Sequence, residues 1–158
     1  MSGVTLLEMV LVLVILGIIA ALGSSFLSGG LNAYFTERDI SNAAWQGRLA
    51  LERITRDLRT VRSATAGDLT ITPANQISFI NTAGTNVSYS LSGSTLMRNG
   101  QPLADGITAL SFTYLANDGK TAVTSDVTAV YYIGVAFTVT QGGANQTWRG
   151  LIHPRSIS

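Results

Sequence analysis

From Val10 to Leu22 every residue is apolar or Gly, and from Val4 to Leu27 the only ionisable side chain is Glu8. An apolar run longer than about 18 residues reads as a membrane span. The pattern predicts a helix from about Thr5 to Leu27. The clusters Gly23-Ser24-Ser25 and Ser28-Gly29-Gly30 predict a bend or loosened helix where the span meets water. A second helical pattern runs from about Leu31 to Arg62. Leu51, Ile54, Leu58 and Val61 recur at helical spacing as one apolar stripe. Glu52 and Arg56, and Arg53 and Asp57, stand four apart, so ion pairs are expected on the opposite face.

After Ala66 the pattern changes to alternation of Thr, Ser, Val, Ile and aromatic residues between turn signals. Strands are expected near Leu69–Thr72, Gln76–Asn81, Asn86–Leu91, Ser94–Arg98, Ile107–Leu115, Thr128–Thr140 and Gln146–His153. Turns are expected at Pro73-Ala74-Asn75, Ser92-Gly93, Asn99-Gly100, Asn117-Asp118-Gly119 and Gly142-Gly143-Ala144-Asn145. An antiparallel meander needs one face covered, and the amphipathic second helix is the available cover. The expected fold class is α+β: one long N-terminal helix, greasy in its first half and amphipathic in its second, packed on an antiparallel sheet. The boundaries read 4–27 for the span, 28–62 for the amphipathic helix and 63–158 for the β domain. Trp45 in the second helix and Trp148 in the last strand are expected to seal the helix–sheet core.

Composition narrows the function. The 158 residues suffice for one anchor and one domain of about 100–130 residues. Charged residues are 12% and the formal net charge is +1, without the basic face of a nucleic-acid binder. There is no Cys and a single His, His153, which is expected at a structural or surface position. Asn117-Asp118-Gly119 with Asp126 could suggest a calcium loop, but the spacing is not that of an EF-hand and a turn explains it. No metal site or cofactor is expected. No Gly-x-Ser-x-Gly elbow or Ser-x-x-Lys pairing marks a nucleophile, so no catalytic residue is expected. Arg56, Arg59 and Arg62 read as a solvated helix end matched to the macrodipole. The sharper alternative is an anion or lipid-headgroup site.

Glu8 is the residue that needs a reason. An unpaired carboxylate in a span costs roughly 2.5–3.5 kcal/mol on insertion scales. The segment supplies no cation, so the partner is the chain's own amino terminus or another molecule. No basic stretch precedes the apolar run and no Ala-x-Ala site follows it, so an ordinary cleavable signal is not expected. A plain signal anchor stays open from hydropathy alone. Arg38 and the later Arg cluster follow the span, and charge balance alone would orient it the other way.

Gly3-Val4-Thr5-Leu6-Leu7-Glu8, running into Met9-Val10-Leu11-Val12-Leu13-Val14-Ile15-Leu16-Gly17-Ile18-Ile19-Ala20, resembles the class III signal of type IV pilins and type II secretion pseudopilins. That signal is a Gly, an apolar residue, Thr-Leu-x-Glu and about 20 apolar residues. The resemblance implies cleavage after Gly3 by a prepilin peptidase, with residues 1–3 as the leader. Val4, in place of the usual Phe, becomes an N-methylated terminus. Glu8 then neutralises the Val4 ammonium, on a neighbouring subunit or its own chain. The leader in this reading, Met1-Ser2-Gly3, lacks the basic residues usual there.

Later segments are similar to one branch of that superfamily. Leu51-Glu52-Arg53-Ile54-Thr55-Arg56-Asp57-Leu58-Arg59-Thr60-Val61-Arg62 looks like the Arg-Asp-Leu-Arg helix of J-type pseudopilins, PilW-like minor pilins and the O group of mannose-sensitive haemagglutinin pili. The stretches 87–91, 95–107, 110–115 and 118–119 and the closing His153-Pro154-Arg155 are similar to their β domain. Major pilins commonly carry a C-terminal disulfide loop and a Pro-kinked first helix; here there is no Cys, and the first Pro is Pro73. The resemblance implies a minor subunit that primes or caps a type II secretion pseudopilus or type IV pilus. Its expected place is the bacterial inner membrane, with the β domain periplasmic, and then the filament, at the tip. Expected partners are other minor and major pilins or pseudopilins, the prepilin peptidase, the inner-membrane assembly platform and, before assembly, membrane lipid. The alternatives are a pilus-tip module binding DNA, a surface or a secreted substrate, and a signal-anchored periplasmic enzyme.

Overall fold

A computed structural model describes residues 5–71 and 74–157. The first element is one helix, α1 (Leu6–Leu58). By compactness the chain divides between Arg38 and Asp39 into two units.

In the first unit, residues 6–38 are helical without interruption, and every described side chain is exposed. The interruption expected at Gly23–Ser25 and Ser28–Gly30 is not seen. Each Gly weakens the helix by about 1 kcal/mol relative to Ala but leaves its backbone hydrogen bonds in place. The serines stay inside the helix because their hydroxyls have acceptors there: Ser24 Oγ donates to the Ala21 carbonyl and Ser28 Oγ to the Ser25 carbonyl, both at 3.0 Å.

The second unit is an α+β body. Its part of α1 buries Ala43, Gly47, Ala50, Ile54 and Asp57, alternating four and three apart, and Leu58 beside them. The expected stripe of Leu51, Ile54, Leu58 and Val61 does face the core, and the buried face extends back along the helix through Ala50, Gly47 and Ala43. Leu51 is half-buried, and Val61 is buried outside the helix, in a β-bridge with Asn81. The helix stops at Leu58 rather than Arg62. Thr60 Oγ1 and Thr60 N–H both donate to the Asp57 carbonyl, closing the last turn.

The expected antiparallel β surface is divided into two sheets. The first is a five-stranded meander in sequence order: β1 (Leu69–Thr70), β2 (Gln76–Ile80), β3 (Asn86–Ser92), β4 (Thr95–Arg98) and β5 (Gln101–Ala104). The second contains β6 (Ile107–Leu115), β7 (Tyr132–Gln141) and β8 (Ala144–Ile152). Strand β5 goes beyond the sequence expectation. It has four residues and contains Pro102, which suits only an edge strand, and β5 is an edge. Strand β7 begins later than expected. Asp126 caps a 3₁₀ turn at Val127–Ala129 by accepting from Thr128 N–H at 3.0 Å, so that stretch never reaches the sheet. The β4–β5 and β7–β8 hairpins turn on Asn99-Gly100 and Gly142-Gly143, each with positive φ at both residues, as a two-residue turn matched to strand twist requires. The Pro73 part of the expected turn and the Thr72 end of the first strand lie outside the described residues.

Both sheets and the helix share one core. Ile54 and Leu58 pack in a cluster with Phe79, Tyr89 and Leu96 of the first sheet and Phe112, Ile133 and Phe137 of the second. At Gly47 α1 lies close against β8, since a Cβ there would lie 2.0 Å from the Trp148 indole nitrogen. Trp148 packs against this core as expected. Trp45 does not: it is 66% exposed. It follows Ala43 by two positions, roughly 200° around the helix from the buried face.

Candidate functional site

The first site is the start of α1. Thr5 is the residue before the helix, and its Oγ1 accepts from Glu8 N–H at 3.3 Å. Its carbonyl accepts from the N–H groups of Glu8 and Met9 at 3.1 and 3.2 Å. Thr5 thus caps the helix, and the Thr-x-x-Glu spacing is that of a capping box, a signal the sequence carried. Glu8 lies in the first turn, where the macrodipole favours an anion by about 0.3–1 kcal/mol. Its carboxylate makes no hydrogen bond or ion pair among the described residues. Gly3 and Val4, the expected cleavage site and new terminus, lie outside the described residues.

From Met9 to Thr36 there is no Asp, Glu, Lys or Arg. The span window in this helix is wholly exposed, and the helix is long and apolar enough to cross a membrane or act as a signal anchor. Leu6, Leu13, Ile19, Phe26 and Tyr34 all present more than half their surface.

The second site is a buried polar knot in the second unit. Asp57 Oδ2 accepts from Tyr89 Oη at 2.7 Å and Arg98 Nε at 2.6 Å, and Arg53 Nε stands 3.5 Å away. Sequence spacing found the Arg53–Asp57 pair but placed it on the solvated face. Asp57 is buried, because β3 and β4 supply a phenol and a guanidinium that satisfy it. Burial, and then the bond to Asp57, push the Tyr89 hydroxyl well above its ordinary range. The bond to Asp57 raises the Arg98 guanidinium. The knot ties α1 to the first sheet. The other expected pair is not formed, since Glu52 pairs with Arg48 at 2.8 Å instead of Arg56.

Arg62, expected at the helix end, lies beyond it. Its guanidinium forms a two-pronged bond with Asp68, to which the Ser63 hydroxyl also donates at 2.6 Å. The Arg62 bonds and then the Ser63 bond hold the Asp68 carboxyl below its usual range. A depressed folded-state value means stability present above the ordinary carboxylate range, near pH 4, and lost as pH falls through the folded value. Asp68→Asn is therefore expected to melt below the parent at neutral pH, with the gap closing below about pH 4. Melting curves across pH in neutral detergent check this, and a constant gap at all pH would overturn it.

Asp118 and Asp126 do not converge on a cation. Asp118 accepts from Lys120 N–H, Thr121 N–H and Thr121 Oγ1, and Asp126 from Thr128 N–H and Oγ1. These turn contacts hold both carboxyls low. Among the described residues no group of three or more His, Cys, Asp or Glu is placed to hold a metal. His153 Nδ1 lies 3.0 Å from the Tyr131 carbonyl, and its exposed ring packs 5.1 Å from Tyr132.

Neither a scan against protein-family models nor a search of curated proteins finds a match for this chain.

Proposed function

We propose that this chain is a minor subunit of a type II secretion pseudopilus or type IV pilus, a structural protein that primes or caps filament assembly. One observation carries the reading: the exposed apolar stretch of α1 up to Thr36 holds one carboxylate, in the helix's first turn, four residues after Val4 of the Gly3-Val4 pair. An apolar surface of this extent stays in water only at great cost, so lipid or other helices cover it. The single charge distinguishes the two covers. In lipid Glu8 is an expense. Beside an ammonium it is half of an ion pair.

In this reading the chain waits in the inner membrane with the β domain in the periplasm. The peptidase cuts after Gly3, and Val4 supplies the ammonium that Glu8 of a neighbouring subunit accepts. Other pilins or pseudopilins then replace lipid around the helix. The α+β body carries no chemistry in this account; it is the part that neighbouring subunits recognise.

Intact mass of the mature protein tests the reading. The expected mass is that of a chain beginning at methylated Val4. A mature chain that keeps Gly3, or begins elsewhere, removes the ammonium on which the Glu8 argument depends.

A further inference from the structure

A cleft of about 510 Å³ in the second unit lies where the end of α1 meets the C-terminal segment. Leu51, Glu52, Thr55, Arg56, Arg59 and Arg155 line it. We propose that this cleft binds a phosphate-bearing small ligand through Arg56, Arg59 and Arg155.

Charge accounting carries the argument. Arg48, Arg53, Arg62 and Arg98 each have a carboxylate partner. Arg56, Arg59 and Arg155 make no ion pair among the described residues. Among the described residues the one acid lining the cleft, Glu52, is engaged by Arg48. Three unneutralised guanidiniums therefore share one concavity in a chain with a net charge of only +1. Like charges brought together repel, and ordinary surfaces intersperse the two signs. The helix dipole accounts for cations on the last turn of α1. Arg155 is not on that turn. The C-terminal segment delivers it: Arg155 N–H donates to the Arg59 carbonyl at 3.2 Å, between the buried Pro154 and Ile157. The sequence grouped Arg62 with Arg56 and Arg59; the fold removes Arg62 to Asp68 and puts Arg155 in its place.

The donor set fits a tetrahedral oxyanion. A carboxylate occupies one guanidinium fork, whereas a phosphate has oxygens for three. The Thr55 hydroxyl makes no hydrogen bond among the described residues and adds a fourth donor. The cleft opens to solvent and half-buried Leu51 offers an apolar wall beside the arginines, which suits a phosphate carried on a small organic group. That chemistry belongs equally to a phospholipid headgroup and to a free phosphate ester.

Calorimetric titration of the full chain in neutral maltoside detergent at low salt tests this. The probes are glycerol 3-phosphate, dihexanoyl phosphatidylglycerol, inorganic phosphate and hexaglutamate. Saturable binding of glycerol 3-phosphate or the short-chain lipid is expected at about millimolar strength, with inorganic phosphate weaker. Tighter binding of the lipid identifies the headgroup as the source; tighter binding of glycerol 3-phosphate identifies the free ester. Arg59→Gln/Arg155→Gln should weaken either at least tenfold, and Arg149→Gln should not. All three cleft arginines are exposed, so the double variant should keep its melting temperature, which is measured alongside. No saturation by about 10 mM, equal binding by the double variant, or hexaglutamate binding tighter than both phosphates would overturn the proposal. The outcome is independent of processing at Gly3, so it stands or falls apart from the filament reading.

Discussion

Glu8→Val should leave the chain in the membrane and remove it from filaments, with incorporation falling more than tenfold. Two terms push the same way. In lipid the carboxylate costs up to roughly 2.5–3.5 kcal/mol, less near the interface, and the valine costs nothing comparable. In a filament the substitution leaves the Val4 ammonium buried without its counter-charge, a loss of about 3–5 kcal/mol when one member of a buried pair is removed. Since about 1.4 kcal/mol is a factor of ten, even a fraction of this decides the partition. Glu8→Asp keeps the charge and reaches less far, so intermediate incorporation is expected. Glu8→Gln keeps the shape and loses the charge, and should behave like Val. Quantitative blotting of sheared filaments against membranes, in cells that also make the parent chain, measures the ratio. Unchanged incorporation of the Val and Gln variants would leave the carboxylate with no docking role.

Asp57→Ala should be the most damaging single change within the α+β body. It removes the acceptor shared by Tyr89 and Arg98 and leaves Arg98, 26% exposed, facing a buried void. Removing one partner of such a knot destabilises by about 3–5 kcal/mol. For a body of this size that corresponds to a melting temperature lower by about 10 °C or more. Asp57→Asn keeps an acceptor oxygen and should lose less. Asp57→Leu combined with Arg98→Met removes both charges and should recover part of the stability, because an apolar pair replaces a desolvated ionic one while the buried Tyr89 hydroxyl loses its acceptor. Arg98→Ala alone should be milder than Asp57→Ala, since Arg53 remains 3.5 Å from the carboxylate. Urea unfolding followed by tryptophan fluorescence reads all four. A double variant no more stable than Asp57→Ala would mean that the ionic knot is needed for more than mutual neutralisation.

The parts of the fold legible in the sequence are those encoded by neighbours in the chain. The apolar run, the isolated Glu8, the change to strand texture after Ala66 and β6 at Ile107–Leu115 are all local patterns. The Asn99-Gly100 and Gly142-Gly143 turns were legible because positive φ is a property of those residues themselves. The misjudged features have a common origin. Trp45, expected in the core, lies outside it, and at that level of α1 the buried face is paved with Ala43, Gly47 and Ala50. Small residues carry no hydrophobic signal, and they are the ones that allow α1 to close on Trp148.

The same distinction separates the sites. Sequence alone determined that this chain has a greasy helix with one carboxylate near its start, followed by an antiparallel β domain, because period and composition act over a few residues. Only the tertiary structure decided that Asp57 turns inward to Tyr89 and Arg98, that Arg62 belongs to Asp68, and that Arg155 joins Arg56 and Arg59 in one cleft. A charge has no fixed partner along a chain. Its partner is chosen by which strands and segments the packed core brings within reach, and that choice is made by residues far from it in sequence.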